Sequence, residues 1–144
     1  MSENRFVIQS LHEVSHRLAI FEDDGTSGWL YLSAPDELKP IGDVWVHNRI
    51  EAPPVADIKN YFGGPPPAAA GYTEDSLRCH DPEDHSWSFA WDVTGEIVAL
   101  LCDGCPIALL ASFERRGWST KLLRSGPWGN EWSNSTYFKY FPEV

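Results

Sequence analysis

Apolar positions in this chain recur mostly at a spacing of two, broken by short polar and glycine-bearing stretches, and that pattern predicts strands. Residues 17–22 (RLAIFE) and 28–33 (GWLYLS) flank the loop Asp23-Asp24-Gly25-Thr26-Ser27 and read as one hairpin. After a turn at Pro35-Asp36, residues 41–50 (IGDVWVHNRI) read as the next strand. The N-terminal stretch is two-sided. Val7, Leu11, Val14 and Leu18 fit a helical spacing, whereas Phe6-Val7-Ile8 favours a strand, which is the preferred reading. The second half reads as a meander: strands at 86–92, 96–102, 106–113 and 118–123, separated by Val93-Thr94-Gly95, Asp103-Gly104 and Arg115-Arg116-Gly117. Asp-Gly between two apolar runs is among the strongest short signals for a tight hairpin. Beyond Gly126-Pro127-Trp128-Gly129, Ser133 is placed to cap a short helix ending at Phe141.

The faces of these strands carry more information than their bounds. Alternate residues share a face, so Trp87, Phe89 and Trp91 point one way and Ser86, Ser88 and Ala90 the other. Residues 97–102 and 107–111 are apolar on both faces, and such strands must be covered on both sides. The hairpin around Asp103-Gly104 is therefore expected at the centre of the fold. In DVWVHNR, Asp43, Trp45, His47 and Arg49 fall on one face and Val44, Val46 and Ile50 on the other. The aliphatic set is assigned to the core, which leaves Trp45 partly exposed.

Between the halves, Pro53-Pro54 opens a short expected helix at 55–62, with Ile58, Tyr61 and Phe62 on one face. A Gly/Pro/Ala-rich connection follows at 63–71, expected to run over the surface of a single domain spanning residues 1–144. LAIFEDDGTSGWLYL and VALLCDGCPIALL echo each other, but hairpins resemble one another by physics alone. The predicted fold class is mainly β: an antiparallel sheet or sandwich of about 7–8 strands with one or two short helices, α+β being the alternative.

Composition adds three constraints. Seven Trp, seven Phe and five Tyr in 144 residues make an aromatic core and argue against disorder. A formal net charge of −10 disfavours nucleic acid and anionic membrane as partners and favours a basic protein. The charge is uneven: residues 79–114 contain no Lys or Arg, while Arg115, Arg116, Lys121 and Arg124 follow closely. Three cysteines do not make an even disulfide set, and no apolar signal segment opens the chain, so a cytoplasmic location with reduced thiols is expected.

Three groups of residues carry candidate chemistry. Cys102 and Cys105 form a C-x-x-C, with Cys79, His80 and His85 upstream, and these five are the candidate zinc ligands. Against zinc, there is no second C-x-x-C, and free Cys also serves as a small buried hydrophobe. Trp29, Tyr31, Trp45, His47 and Arg49 are the candidate lining of an aromatic cleft for a small ligand or sugar. Asp81, Glu83 and Asp84 are candidate contacts for a basic partner. No phosphate-binding glycine loop or nucleophile elbow is present, and no cofactor is expected beyond the zinc alternative. The leading expectation is a non-catalytic interaction module of the immunity or inhibitor type. Ligand binding in the aromatic cleft, and a zinc-stabilised domain or metal-dependent enzyme, are the alternatives. Nothing in the sequence fixes the oligomeric state.

Overall fold

A computed structural model describes residues 5–61 and 63–142; residues 1–4, 62 and 143–144, including the expected contribution of Phe62 to a helical face, lie outside the described residues. The chain forms two four-stranded antiparallel meanders. The first comprises β1 (Phe6–Leu11), β2 (Leu18–Asp23), β3 (Ser27–Ser33) and β4 (Pro40–Asn48). The second comprises β5 (Trp87–Trp91), β6 (Ile97–Cys102), β7 (Cys105–Ala111) and β8 (Glu114–Ser119). They join along a parallel β4–β8 seam, giving the order β1-β2-β3-β4-β8-β7-β6-β5, with the two-residue β9 (Asn130–Glu131) beside β8. The echo between the halves corresponds to the equivalent hairpins β2–β3 and β6–β7.

The sheet curls into a nearly closed barrel. Its two terminal strands meet through side chains: the Trp91 indole donates to Ser10 Oγ at 2.9 Å, and Phe6 lies 6.1 Å from Trp87. Phe21, Leu30, Leu32, Val44, Leu100 and Leu110 are fully buried inside it, with Trp87, Phe89 and Trp91 packed against them as one stripe. Outside, Ile97, Ala99, Leu109 and Ala111 are covered by the C-terminal helix α1 (Asn134–Tyr140) through Tyr137, Tyr140 and Phe141. Ser133 caps that helix by accepting from Thr136 N. The central hairpin is thus covered on both faces, as its apolar pattern requires.

The structure departs from the expected elements at two of them. Residues 55–60 form a 3-10 helix rather than a longer α-helix. The last hairpin turns at Ser112-Phe113, and Arg115-Arg116-Gly117 lies within β8. Gly117 is a site of close approach, not a turn residue: a Cβ there would sit 2.3 Å from the Leu109 carbonyl oxygen and 2.4 Å from Leu110 Cδ2. The 63–71 connection is not a free surface strap either. Pro67, Ala68 and Ala69 are buried, and the two alanines pack against Trp29 and Trp45 on the outer face of β3 and β4. Among the described residues, no helix is long and apolar enough to cross a membrane.

Candidate functional site

The antiparallel register brings the ends of β2, β4, β6 and β8 to one end of the barrel, together with the starts of β3, β5 and β7. This end gathers most of the residues singled out in the sequence. A β-bulge shapes its interior. Trp29 pairs with Trp45 but Gly28 pairs with His47, so β4 carries one extra residue there. A bulge re-aims the side chains beyond it. Val46 and His47 therefore both face inward, while Trp45 and Asn48 face out.

His47 is fully buried against the rings of Phe21 and Trp87, which stack on each other at 4.7 Å. Gly28 makes room for it, since a Cβ there would lie 2.8 Å from His47 Nε2. Nε2 meets Asp23 Oδ2 at 2.6 Å, and Asp23 Oδ1 accepts from Arg49 at 3.0 Å and from Gly25 N at 2.8 Å. His47 Nδ1 is buried with no hydrogen-bond partner. Burial pushes the imidazole below its usual range and outweighs the attraction of Asp23. The consistent state is a neutral ring donating from Nε2 to an Asp23 carboxylate that also pairs with Arg49. This is an internal polar staple, closed at His47 and Asp23 and reaching the surface at Arg49.

The expected aromatic cleft does not assemble. Trp45 is fully buried, contrary to its expected partial exposure, because residues 66–69 and 122–128 cover it. Its indole donates to Asn48 Oδ1 at 2.8 Å. His47 is inside the barrel and Arg49 half-buried at its end; Tyr31 lies on the outer face of β3. Of the five, only Trp29 borders the aromatic groove that does form, a hollow of about 420 Å³ lined by Trp29, Ile58, Pro66, Arg116, Pro127 and Trp128. The Trp29 indole is satisfied by the Pro66 carbonyl at 3.1 Å, whereas the buried Trp128 N–H has no acceptor. Trp128 and Arg116 were not legible as site residues, since their strand and loop are brought to Trp29 only by the β4–β8 seam.

The acidic loop crosses the same end of the barrel. Pro82–Asp84 form a 3-10 turn capped by Asp81, whose carboxylate accepts from Glu83 N. Asp81, Glu83 and Asp84 are exposed, and the buried Pro82 carbonyl takes the Trp87 indole N–H at 2.7 Å. The five candidate metal ligands split. Cys79 is buried and His80 exposed, and neither joins a cluster. His85 and Cys102 converge with Asp103, which sequence reasoning had assigned only to the turn. Cys105 lies directly opposite Cys102 on the ladder. Burial, and then the charge of Asp103, push the Cys102 thiol up to about 11. Burial also raises Cys79 and lowers Lys121, which faces both thiols. The three cysteines are unbridged.

A third surface has no counterpart in the expected sites. Among the described residues, none of the packed clusters covers the outer faces of β1 and β2; Tyr31 beside them packs against the Trp29–Trp45 cluster. Two adjoining hollows lie there, of about 230 and 260 Å³, sharing Leu18 and Leu38. Leu11 and Leu38 are 64% and 77% exposed. Glu22, Asp36 and Glu37 border the hollows.

Compared with protein-family models, with curated proteins and with solved structures, the chain matches none of them.

Proposed function

We propose that this protein is an interaction module that binds a basic protein partner through the outer face of β1 and β2. The observation that carries this reading is the uncovered pair of hollows around Leu18 and Leu38, apolar at the centre and bordered by Glu22, Asp36 and Glu37. An apolar centre within a polar rim is the anatomy of a protein interface. The net charge of −10 favours a basic partner and speeds its capture. Asp81, Glu83 and Asp84 add to the long-range field rather than to the contact.

The test is affinity capture from native extract followed by titration of the captured protein. A basic partner is expected, with affinity falling at least about tenfold on Leu38→Arg, the loss of roughly 1.4 kcal/mol. Leu123→Arg, on a different surface, is expected to leave affinity unchanged. Capture of no protein, or equal affinity in both variants, overturns the reading.

One observation favours a second reading, small-ligand or sugar binding in the Trp29–Trp128 groove: a hollow of about 420 Å³ walled by two tryptophans. Stacking on an indole face suits a sugar ring. Titration with a saccharide panel is then expected to give a saturable tryptophan fluorescence change that Ile58→Arg removes. A flat response across the panel ends this reading.

A further inference from the structure

We propose that the tip of the β6–β7 hairpin, together with the residue pair preceding β5, is a metal site of the zinc class, with His85, Cys102, Asp103 and Cys105 as its donors. Three of the four already converge. His85 Nδ1 lies 2.7 Å from Asp103 Oδ2, Cys102 Sγ lies 3.8 Å from the same oxygen, and all three donor atoms are within 4.8 Å of one another. Tetrahedral zinc with ordinary Zn–N, Zn–O and Zn–S bonds holds its donors about 3.3–3.8 Å apart, the two sulfurs being the widest pair. Shifts of a few tenths of an ångström on the Asp103 side, and somewhat more between His85 and Cys102, meet that requirement.

The backbone places the fourth donor. Asp103 and Gly104 have φ of 53° and 83°, so the chain reverses within two residues and Cys105 pairs with Cys102. Residues directly opposite on an antiparallel ladder project from the same face, with Cβ atoms about 4.5–5.5 Å apart. The exposed Cys105 thiol therefore reaches the cluster by side-chain rotation.

The site also has an oriented outer shell. Asp103 Oδ1 accepts from Ser86 N at 2.8 Å, and Asp103 N donates to Ser86 O at 2.7 Å. This pair locks the hairpin tip to the segment bearing His85 and turns Oδ2 toward the other donors. A hydrogen-bonded carboxylate of this kind raises metal affinity and fixes ligand direction.

Electrostatics favour a divalent cation over the empty cluster. The Asp103 carboxylate and the Cys102 sulfur place two electron-rich donors 3.8 Å apart. A divalent ion draws on both. Two thiols lose their protons to solvent and two S–metal bonds form; the His85 ring gives up its hydrogen bond to Asp103, carries its proton on Nε2 and binds through Nδ1, and Asp103 binds through Oδ2. Glu83 and Asp84 stand on the adjoining loop, and Lys121, two residues past the end of β8, is the cation facing Cys102. The two thiolates and the carboxylate outweigh that single ammonium. A soft, thiolate-bearing set selects zinc and its analogues over magnesium or calcium. Metal bound here ties the acidic loop to the central hairpin and closes the end of the barrel above His47.

The test uses the full chain, reduced and stripped with chelator, then titrated with Co²⁺ and Zn²⁺. One metal per chain is expected, with thiolate-to-cobalt charge-transfer absorption, release of about two protons per metal, and a change in emission from Trp87, whose ring lies 6.3 Å from that of His85. Cys102→Ser, Cys105→Ser and His85→Gln are each expected to weaken Zn²⁺ binding by more than the roughly 10–100-fold typical of losing an outer-shell partner. Cys79→Ser is expected to bind as the parent does. Absence of stoichiometric metal, cobalt spectra without thiolate bands, or unchanged affinity in Cys102→Ser and Cys105→Ser overturns the proposal. These readouts involve no protein partner, so they stand or fall apart from the capture experiment.

Discussion

Replacing Asp23 with Ala is expected to cost the fold about 3–5 kcal/mol, the usual penalty for removing one partner of a buried ionic pair. The carboxylate is fully buried and serves three donors: His47 Nε2, Arg49 and Gly25 N. Without it, His47 keeps a partner at neither ring nitrogen, because Nδ1 has none to begin with. Urea unfolding of Asp23→Ala, His47→Leu and the double variant checks the claim. The double variant is expected to be more stable than Asp23→Ala, since an apolar residue in place of the stranded imidazole removes an unsatisfied buried group. Strict additivity would show that the staple is not a coupled unit. The same geometry sets a pH dependence. Burial depresses the native His47 pKa, whereas the unfolded imidazole titrates near about 6.5. Above that value the ring is neutral in both states and the contribution is complete. As pH falls below it, the unfolded chain takes up a proton that the native ring resists, and stability declines by up to roughly 1.4 kcal/mol per pH unit. Asp92, Glu96 and Asp103 act lower. Their native pKa values are depressed, so their stabilisation is present above about pH 4 and is lost as pH falls through the native values. In His47→Leu the decline between about pH 6.5 and 5 is expected to flatten, leaving the carboxylate-driven loss below it.

The meanders were legible because each strand carries its own signal. The Trp87-Phe89-Trp91 stripe faces the barrel interior, and the double-faced hairpin is buried on both sides, as alternation alone requires. The failures trace to features that alternation does not encode. Gly117 looks like a turn residue, but its meaning is set by Leu109 and Leu110 on the neighbouring strand. The bulge at Val46-His47 breaks the count of faces within DVWVHNR, which moved His47 from an expected cleft to the interior. Asp23 read as one more acidic turn residue, and only the β2–β3–β4 register puts it beside His47. Of the candidate sites, the C-x-x-C was visible as a pair of donors. The convergence of Cys102 with His85 and Asp103 depends on β5 pairing with β6, which no spacing rule supplies.

Trp45→Ala is expected to cost about 3–5 kcal/mol, as for other fully buried tryptophans cut back to Ala. Trp45→Phe should lose far less, about 0.5–1.5 kcal/mol for the missing hydrogen bond plus part of the ring volume. The ring sits beneath Ala68, Ala69, Leu122 and Trp128, so its removal opens a cavity that two separate segments would have to collapse to fill. It also orients Asn48. That amide accepts from the Trp45 indole and from Ala68 N at 2.9 Å, and donates to Ala68 O at 2.9 Å. Asn48 thereby pins the Gly/Pro/Ala connection to β4, and Trp45 N takes the Trp128 carbonyl at 2.9 Å to hold the other cover. Hydrogen exchange separates this from a generic core defect. In Trp45→Phe, the Ala68 and Ala70 amides are expected to lose protection before those of β6 and β7, because the connection opens locally while the central hairpin stays covered. Uniform loss across the sheet would instead make Trp45 part of one indivisible core. A Trp45→Ala variant as stable as the parent would mean that the ring is held for a ligand and not for the fold.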